Sequence, residues 1–101
     1  MYLVHAHLEF PRGGEPPLGV RESVRASVVP ADGVEHIAVH PRPGARLTLG
    51  IYLLAGRLEE AEAHAVRVCH RLLRDVPQLR DARLLGAGVP LMPAVVTAAL
   101  D

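Results

Sequence analysis

Hydrophobic and polar residues alternate with a period of two along several short stretches of the chain. In residues 2–10 one side carries Tyr2, Val4, Ala6, Leu8 and Phe10, and the other carries Leu3, His5, His7 and Glu9. The same alternation runs through residues 34–40 and 45–55, and a further apolar run occupies residues 82–89. Because successive side chains of a strand point to opposite faces, these stretches predict four β-strands.

Two other segments space their apolar residues three and four positions apart, as on one side of a helix. Val20, Val24 and Val28 predict a short helix that ends near Pro30. Residues 57–76 predict a longer helix that Pro77 ends. Its apolar side consists of Leu58, Ala61, Ala65, Val68, Cys69, Leu72 and Val76. The acidic residues in its first turns and the arginines in its last turns stabilise the helix, because their charges are opposite to those of the helix dipole at each end.

The order strand, helix, strand, strand, helix, strand matches the topology of the ferredoxin-like βαββαβ fold. We therefore expect a single α+β domain over residues 1–101, with a four-stranded antiparallel sheet and two helices on one face. The first and third strands would be central, with the second beside the third and the fourth beside the first. The open face would carry Leu3, His5, His7, Glu9, His36, His40, Arg46, Thr48 and Tyr52.

Composition narrows the class of protein. Of 101 residues, 50% are hydrophobic and 22% are charged, which predicts a folded core. Eleven arginines balance eleven acidic residues, so the formal net charge of zero does not favour a nucleic-acid partner. Cys69 is the only cysteine, which excludes an internal disulfide and indicates a reducing compartment. Without a signal peptide or an apolar run of about 20 residues, we expect a cytoplasmic protein with no membrane partner.

The histidines of the open face are the main candidates for chemistry. Since His5 and His7 lie two positions apart, their side chains share one face about 7 Å apart along the strand. They could share a metal ion, with His36 or His40 as a third ligand, because zinc takes three or four ligands. His5 and His7, together with Tyr52, are also candidate catalytic residues, since an unperturbed imidazole has a pKa of about 6.5 and can exchange protons near neutral pH. Histidines in such a pattern are more often ordinary polar residues of a sheet surface than ligands or catalytic groups. The sequence contains no motif that indicates a particular cofactor.

Two functional hypotheses follow from these features. The first is a small non-catalytic accessory or binding protein that acts as a homodimer and takes a small molecule or a protein as its partner, because no catalytic motif stands out. The second is a dimeric α+β barrel enzyme that acts on a small organic molecule in specialised metabolism. Two such sheets joined through their open faces would enclose a cavity, with His5, His7 and Tyr52 as its candidate catalytic residues.

The C-terminal residues 90–101 form a hydrophobic tail, which needs a covering surface either on its own core or across a homodimer interface. A chain that stops before Pro90 should therefore dissociate into monomers or aggregate. Light scattering on the truncated and full-length chains measures both effects. Equal solubility, stability and subunit number in the two chains would contradict a role for the tail in assembly.

Overall fold

The computed structural model describes residues 1–11 and 16–89. The strands are β1 (Tyr2–Glu9), β2 (Val34–Arg42), β3 (Arg46–Leu53) and β4 (Arg83–Gly88), and the helices are α1 (Val20–Ser27) and α2 (Leu58–Asp75). The predicted α+β class, with a four-stranded antiparallel sheet and two helices, is confirmed. Neither helix in this part of the chain is long and apolar enough to cross a membrane. The predicted tail, residues 90–101, lies outside the described residues.

The sheet has the strand order β2-β3-β1-β4, and every neighbouring pair is antiparallel. β1 and β3 pair along their whole length, from Tyr2 opposite Leu53 to Glu9 opposite Arg46. β4 pairs with the second part of β1, with a shift of register between His7 and Leu8. The two central strands therefore supply the middle of each sheet face, and β2 and β4 form its edges.

Alternation along the strands decides which face the helices cover. The buried strand residues include Val4, Ala6, Leu8, Ile37, Val39, Leu47, Leu49, Ile51 and Leu53. They form one core with Val20 and Val24 of α1 and with Ala61, Ala65, Val68, Cys69 and Leu72 of α2. Both helices therefore pack on the same face, and the predicted apolar side of α2 is confirmed with one exception. Leu58 is 40% exposed, because it begins α2 one turn before the first buried residue of that helix, Ala61.

One strand is longer than the sequence predicts. The alternation that predicts the second strand ends at residue 40, but β2 continues through Pro41 and Arg42. An edge strand tolerates proline, because one of its sides makes no ladder hydrogen bonds. The turn between β2 and β3 is therefore short and includes Gly44 and Ala45, both with positive φ angles. As a consequence Arg42 belongs to the sheet, opposite Arg46.

The burial of Leu72, which has no exposed surface, predicts a large loss of stability on truncation. Leu72→Ala should lower the free energy of unfolding by roughly 2 to 5 kcal/mol, because it removes apolar contacts and leaves a cavity. Denaturant unfolding measures this change. Leu58→Ala, in the same helix but exposed, is the matched control and should cost much less. Equal midpoints for the two variants would refute the assigned helix face.

Candidate functional site

Strand register brings several of the candidate histidines together on the sheet face that the helices leave uncovered, which we call the open face. His7 of β1 lies opposite Thr48 of β3, and Thr48 lies opposite His40 of β2. Two residues further along β1, on the same face, His5 lies opposite Gly50. His5 and His7 of β1 and His40 of β2 therefore flank Thr48 and Gly50, two small residues of the central strand β3.

Aromatic contacts divide the candidate residues into two pairs. The rings of His5 and His7 meet edge to face, with their centroids 6.3 Å apart. The rings of His36 and Tyr52 lie 5.6 Å apart at an angle of 46°. Tyr52 is opposite Leu3 on β1 and His36 on β2, so it is not opposite either histidine of β1.

The proposed metal ligands do not form a complete set within one chain. Among residues 1–11 and 16–89, no group of three or more His, Cys, Asp or Glu side chains is placed to hold a metal ion. His36 lies beside Tyr52 and His40 lies across Thr48 from His7. A metal ion shared by His5 and His7 would therefore need ligands from outside the described residues, and the metal site stays a prediction.

Thr48 is the centre of a hydrogen-bond network on the open face. Although it points away from the helices, only 2% of its surface is exposed. Its hydroxyl oxygen lies 3.1 Å from Nδ1 of His7 and accepts a hydrogen bond of 3.4 Å from Nε of Arg42. If the Thr48 hydroxyl donates to Nδ1 of His7, this buried hydroxyl both donates and accepts a hydrogen bond. This arrangement places the proton of a neutral His7 on Nε2.

A cleft of about 530 Å³ lies over this network. It is lined by His7, Arg42, Pro43, Arg46, Thr48, Leu85 and Gly86. It therefore crosses the sheet from the edge strand β2 to the edge strand β4.

Four residues that line the cleft were missed by the sequence analysis, namely Arg42, Pro43, Leu85 and Gly86. Arg42 continues the alternation of His36 and His40, so the pattern in the sequence could have identified it. Leu85 and Gly86 could not be identified in this way. Their positions depend on the irregular pairing between β1 and β4, in which Gly86 lies opposite His7 and Leu84 lies opposite Leu8.

Charge is distributed unevenly across the open face. Glu9 accepts two hydrogen bonds from Arg83, of 2.8 and 3.2 Å, and lies 3.9 Å from Arg46. The hydrogen bond from Arg83 is the main cause that lowers the pKa of Glu9, and the charges of Arg83 and Arg46 add to it. Within the part of the chain that the structure describes, Arg42 makes no ion pair. The uncompensated positive charge of the cleft therefore lies at its β2 end.

His5 has a lowered pKa in this environment. Partial burial is the main cause, and the neighbouring charges of His7, His40 and Arg42 lower the pKa further. Because these groups all penalise the imidazolium form, His5 favours the neutral imidazole. Its Cδ2 lies 3.9 Å from the position that a Cβ on Gly50 would occupy, so the ring extends over the central strand.

Cys69 is remote from this chemistry. It is buried in α2, on the helix side of the sheet, as the sequence predicts. Burial raises the pKa of its thiol to about 12, so the thiolate needed for nucleophilic attack is not formed near neutral pH.

Comparison of the chain with models of protein families, with curated proteins and with solved structures finds no match.

The environment of His5 predicts a pH dependence. NMR titration of its imidazole should give a pKa below 6.5. His40→Gln should raise that pKa, because it removes one nearby positive charge, but burial should keep it below the ordinary value. Since the unfolded chain binds the proton more readily, the protein should lose stability as the pH falls from about 6.5 through the lower pKa of His5 in the folded chain.

His70→Gln is the control for this titration, because His70 is an exposed residue of α2 on the other side of the sheet. It should leave the titration of His5 unchanged. A pKa of His5 at or above 6.5 in the parent protein would contradict the assigned environment.

Proposed function

We propose that this chain is a small non-catalytic binding protein that acts as a homodimer and holds a small organic molecule on its open face. The observation that carries the proposal is the cleft over Thr48. Its floor is a buried hydroxyl held by two long polar side chains, His7 and Arg42. On an ordinary solvated surface a threonine hydroxyl bonds to water and needs no protein partner. The hydroxyl of Thr48 is buried, and a buried polar group costs free energy unless the protein supplies its hydrogen bonds.

The fold that we propose for this function is ferredoxin-like. The element order β1-α1-β2-β3-α2-β4 and the strand order β2-β3-β1-β4 support this assignment. In such a fold the helices cover one face, which leaves the other available for a ligand or a second subunit. A binding role for the open face is consistent with this division between a packed side and an exposed side.

A homodimer is proposed because a second copy of the chain would enclose the cleft. The cleft is open on the side that faces away from the sheet, and an isolated sheet face buries little of a bound molecule. Packing of two open faces about a twofold axis would bury the partly exposed Leu3 and Tyr52 and place the two clefts together. The zero formal net charge of the chain limits the long-range repulsion between two copies.

The alternative is a dimeric α+β barrel enzyme, and the hydrogen bond between His7 and Thr48 favours it. A histidine with one ring nitrogen held by a partner and the other directed at a cleft is able to transfer a proton. The two hypotheses differ in the fate of the bound molecule. A binding protein returns it unchanged, whereas an enzyme alters it, and mass spectrometry of the released molecule distinguishes the two results.

Assembly through the open face can be tested with a matched pair of alanine-to-arginine substitutions. Ala38 lies on the open face between His36 and His40, and Ala63 is exposed on α2. Sedimentation velocity should show a dimer for the parent protein and for Ala63→Arg, but a monomer for Ala38→Arg. The added guanidinium would place two like charges and two long side chains in the interface.

Native mass spectrometry of the same samples reports the subunit number together with any retained small molecule. A parent protein that stays monomeric at all concentrations would refute the homodimer. An Ala38→Arg variant that remains dimeric would show that the subunits meet elsewhere.

A further inference from the structure

The cleft over Thr48 has two chemically different ends. At the β2 end lies Arg42, and at the β4 end lie Leu85 and Gly86. Since neighbouring strands are about 4.8 Å apart, the three steps from β2 to β4 separate these ends by about 14 Å. A molecule that fits the whole cleft must therefore be polar at one end and apolar at the other.

The polar end offers hydrogen-bond donors. Nε of Arg42 donates a hydrogen bond to the Thr48 hydroxyl, which holds the guanidinium against the floor of the cleft. The N–H groups of both Nη atoms are left for a ligand. With the Thr48 hydroxyl donating to Nδ1, which lies 3.1 Å away, a neutral His7 presents Nε2–H as a second donor. Arg46 is partly neutralised by Glu9, whereas no carboxylate of the described residues pairs with Arg42. Such a set selects a group that only accepts hydrogen bonds and carries negative charge.

The apolar end offers space beside hydrophobic surface. Leu85 is 44% exposed, because the irregular pairing of β4 with β1 turns it out of the core. Apart from Gly86 and its two chain neighbours, no atom of the described residues lies within 4 Å of the position that a Cβ on Gly86 would occupy. The missing side chain at Gly86 therefore leaves room for a flat apolar group next to Leu85.

We infer that the cleft binds an organic carboxylate, with the carboxylate on Arg42 and His7 and an apolar body over Gly86. This inference rests on the proposed binding function and adds the chemical class of its ligand. The planar guanidinium of Arg42 matches the geometry of a carboxylate, and one aromatic ring or a short aliphatic chain spans the distance to Leu85. The residues that would recognise the ligand all belong to one chain, and the second copy of the proposed homodimer would enclose it.

The probe for the test is 3-phenylpropionate, with 3-phenylpropionamide as its neutral counterpart, acetate as a carboxylate without an apolar body, and inorganic phosphate as another anion. Amide chemical shifts of the full chain, followed during each titration, give the affinity and the location of binding. We expect 3-phenylpropionate to shift the resonances of Thr48 and Gly86. It should bind about tenfold or more tightly than the other three compounds, the value of one charge-assisted hydrogen bond or more.

Two variants separate the two ends of the cleft. Arg42→Gln should weaken binding of 3-phenylpropionate about tenfold and leave binding of 3-phenylpropionamide unchanged. Arg67 is an exposed arginine of α2, so Arg67→Gln should leave the binding of both compounds unchanged. Gly86→Val should block both compounds by filling the space beside Leu85. Valine suits a strand, and thermal melting confirms that this variant is folded.

Each contrary result has a distinct meaning. Equal affinity for the acid and the amide would overturn the carboxylate assignment while leaving the proposed binding function in place. Equal affinity for phosphate or acetate would overturn the role of the apolar end. No shift at Thr48 or Gly86 with any of the four compounds would overturn the inference, and the retained molecule and the subunit number would then test the proposed function separately.

Discussion

Two helices can cover only one face of a four-stranded sheet, and most features of this protein depend on that constraint. The helices follow β1 and β3 in the chain and pack on the same side, so one set of alternate strand residues must be apolar. The other set has no helix to pack against and is free of the requirement to be hydrophobic. Thr48 and the histidines and arginines of the strands occupy these positions, so the core and the candidate site are two faces of the same strands.

The pattern of the sequence predicted those parts of the structure that depend on local periodicity. Leu72 and Val68 are buried because they repeat at helical spacing, and His5 and His7 share the open face because they lie two residues apart. The position of Arg42 was not predicted, because a proline next to it was taken as the end of the strand. At the edge of the sheet the missing N–H of Pro41 is tolerated, but edge position is a property of the assembled sheet and not of the residues around Pro41.

Cross-strand relations lay beyond prediction for a related reason. Which residue of β4 lies opposite His7 depends on an irregularity in the pairing with β1, and it is this irregularity that exposes Leu85. Register likewise separates Tyr52 from His5 and His7 and places it beside His36. The candidate residues of the open face could therefore be assembled from the sequence, but their partners within that face could not.

Thr48 shows how a polar residue can be buried on the outer face of a sheet. Its neighbours on both strands carry longer side chains that exclude water from its hydroxyl, and an unpaired buried hydroxyl would cost about 1 to 3 kcal/mol. The hydrogen bonds to His7 and Arg42 offset that cost, and in doing so they restrict the two side chains that border the cleft. Preorganisation of this kind lowers the entropic cost of holding a ligand, because the side chains are already ordered before it binds.

The arginines of the open face differ in what their charge is used for. Arg83 and Arg46 converge on Glu9, which neutralises that corner of the sheet and joins β1 to both of its neighbours. Exposed pairs of this kind contribute little free energy, so their main effect is on where positive charge remains. Arg42 is held by the hydroxyl of Thr48 instead of by a carboxylate, and a neutral partner orients a guanidinium without cancelling its charge. The same strand alternation that releases the open face from packing therefore leaves one oriented cation at one end of a cleft whose other end is apolar.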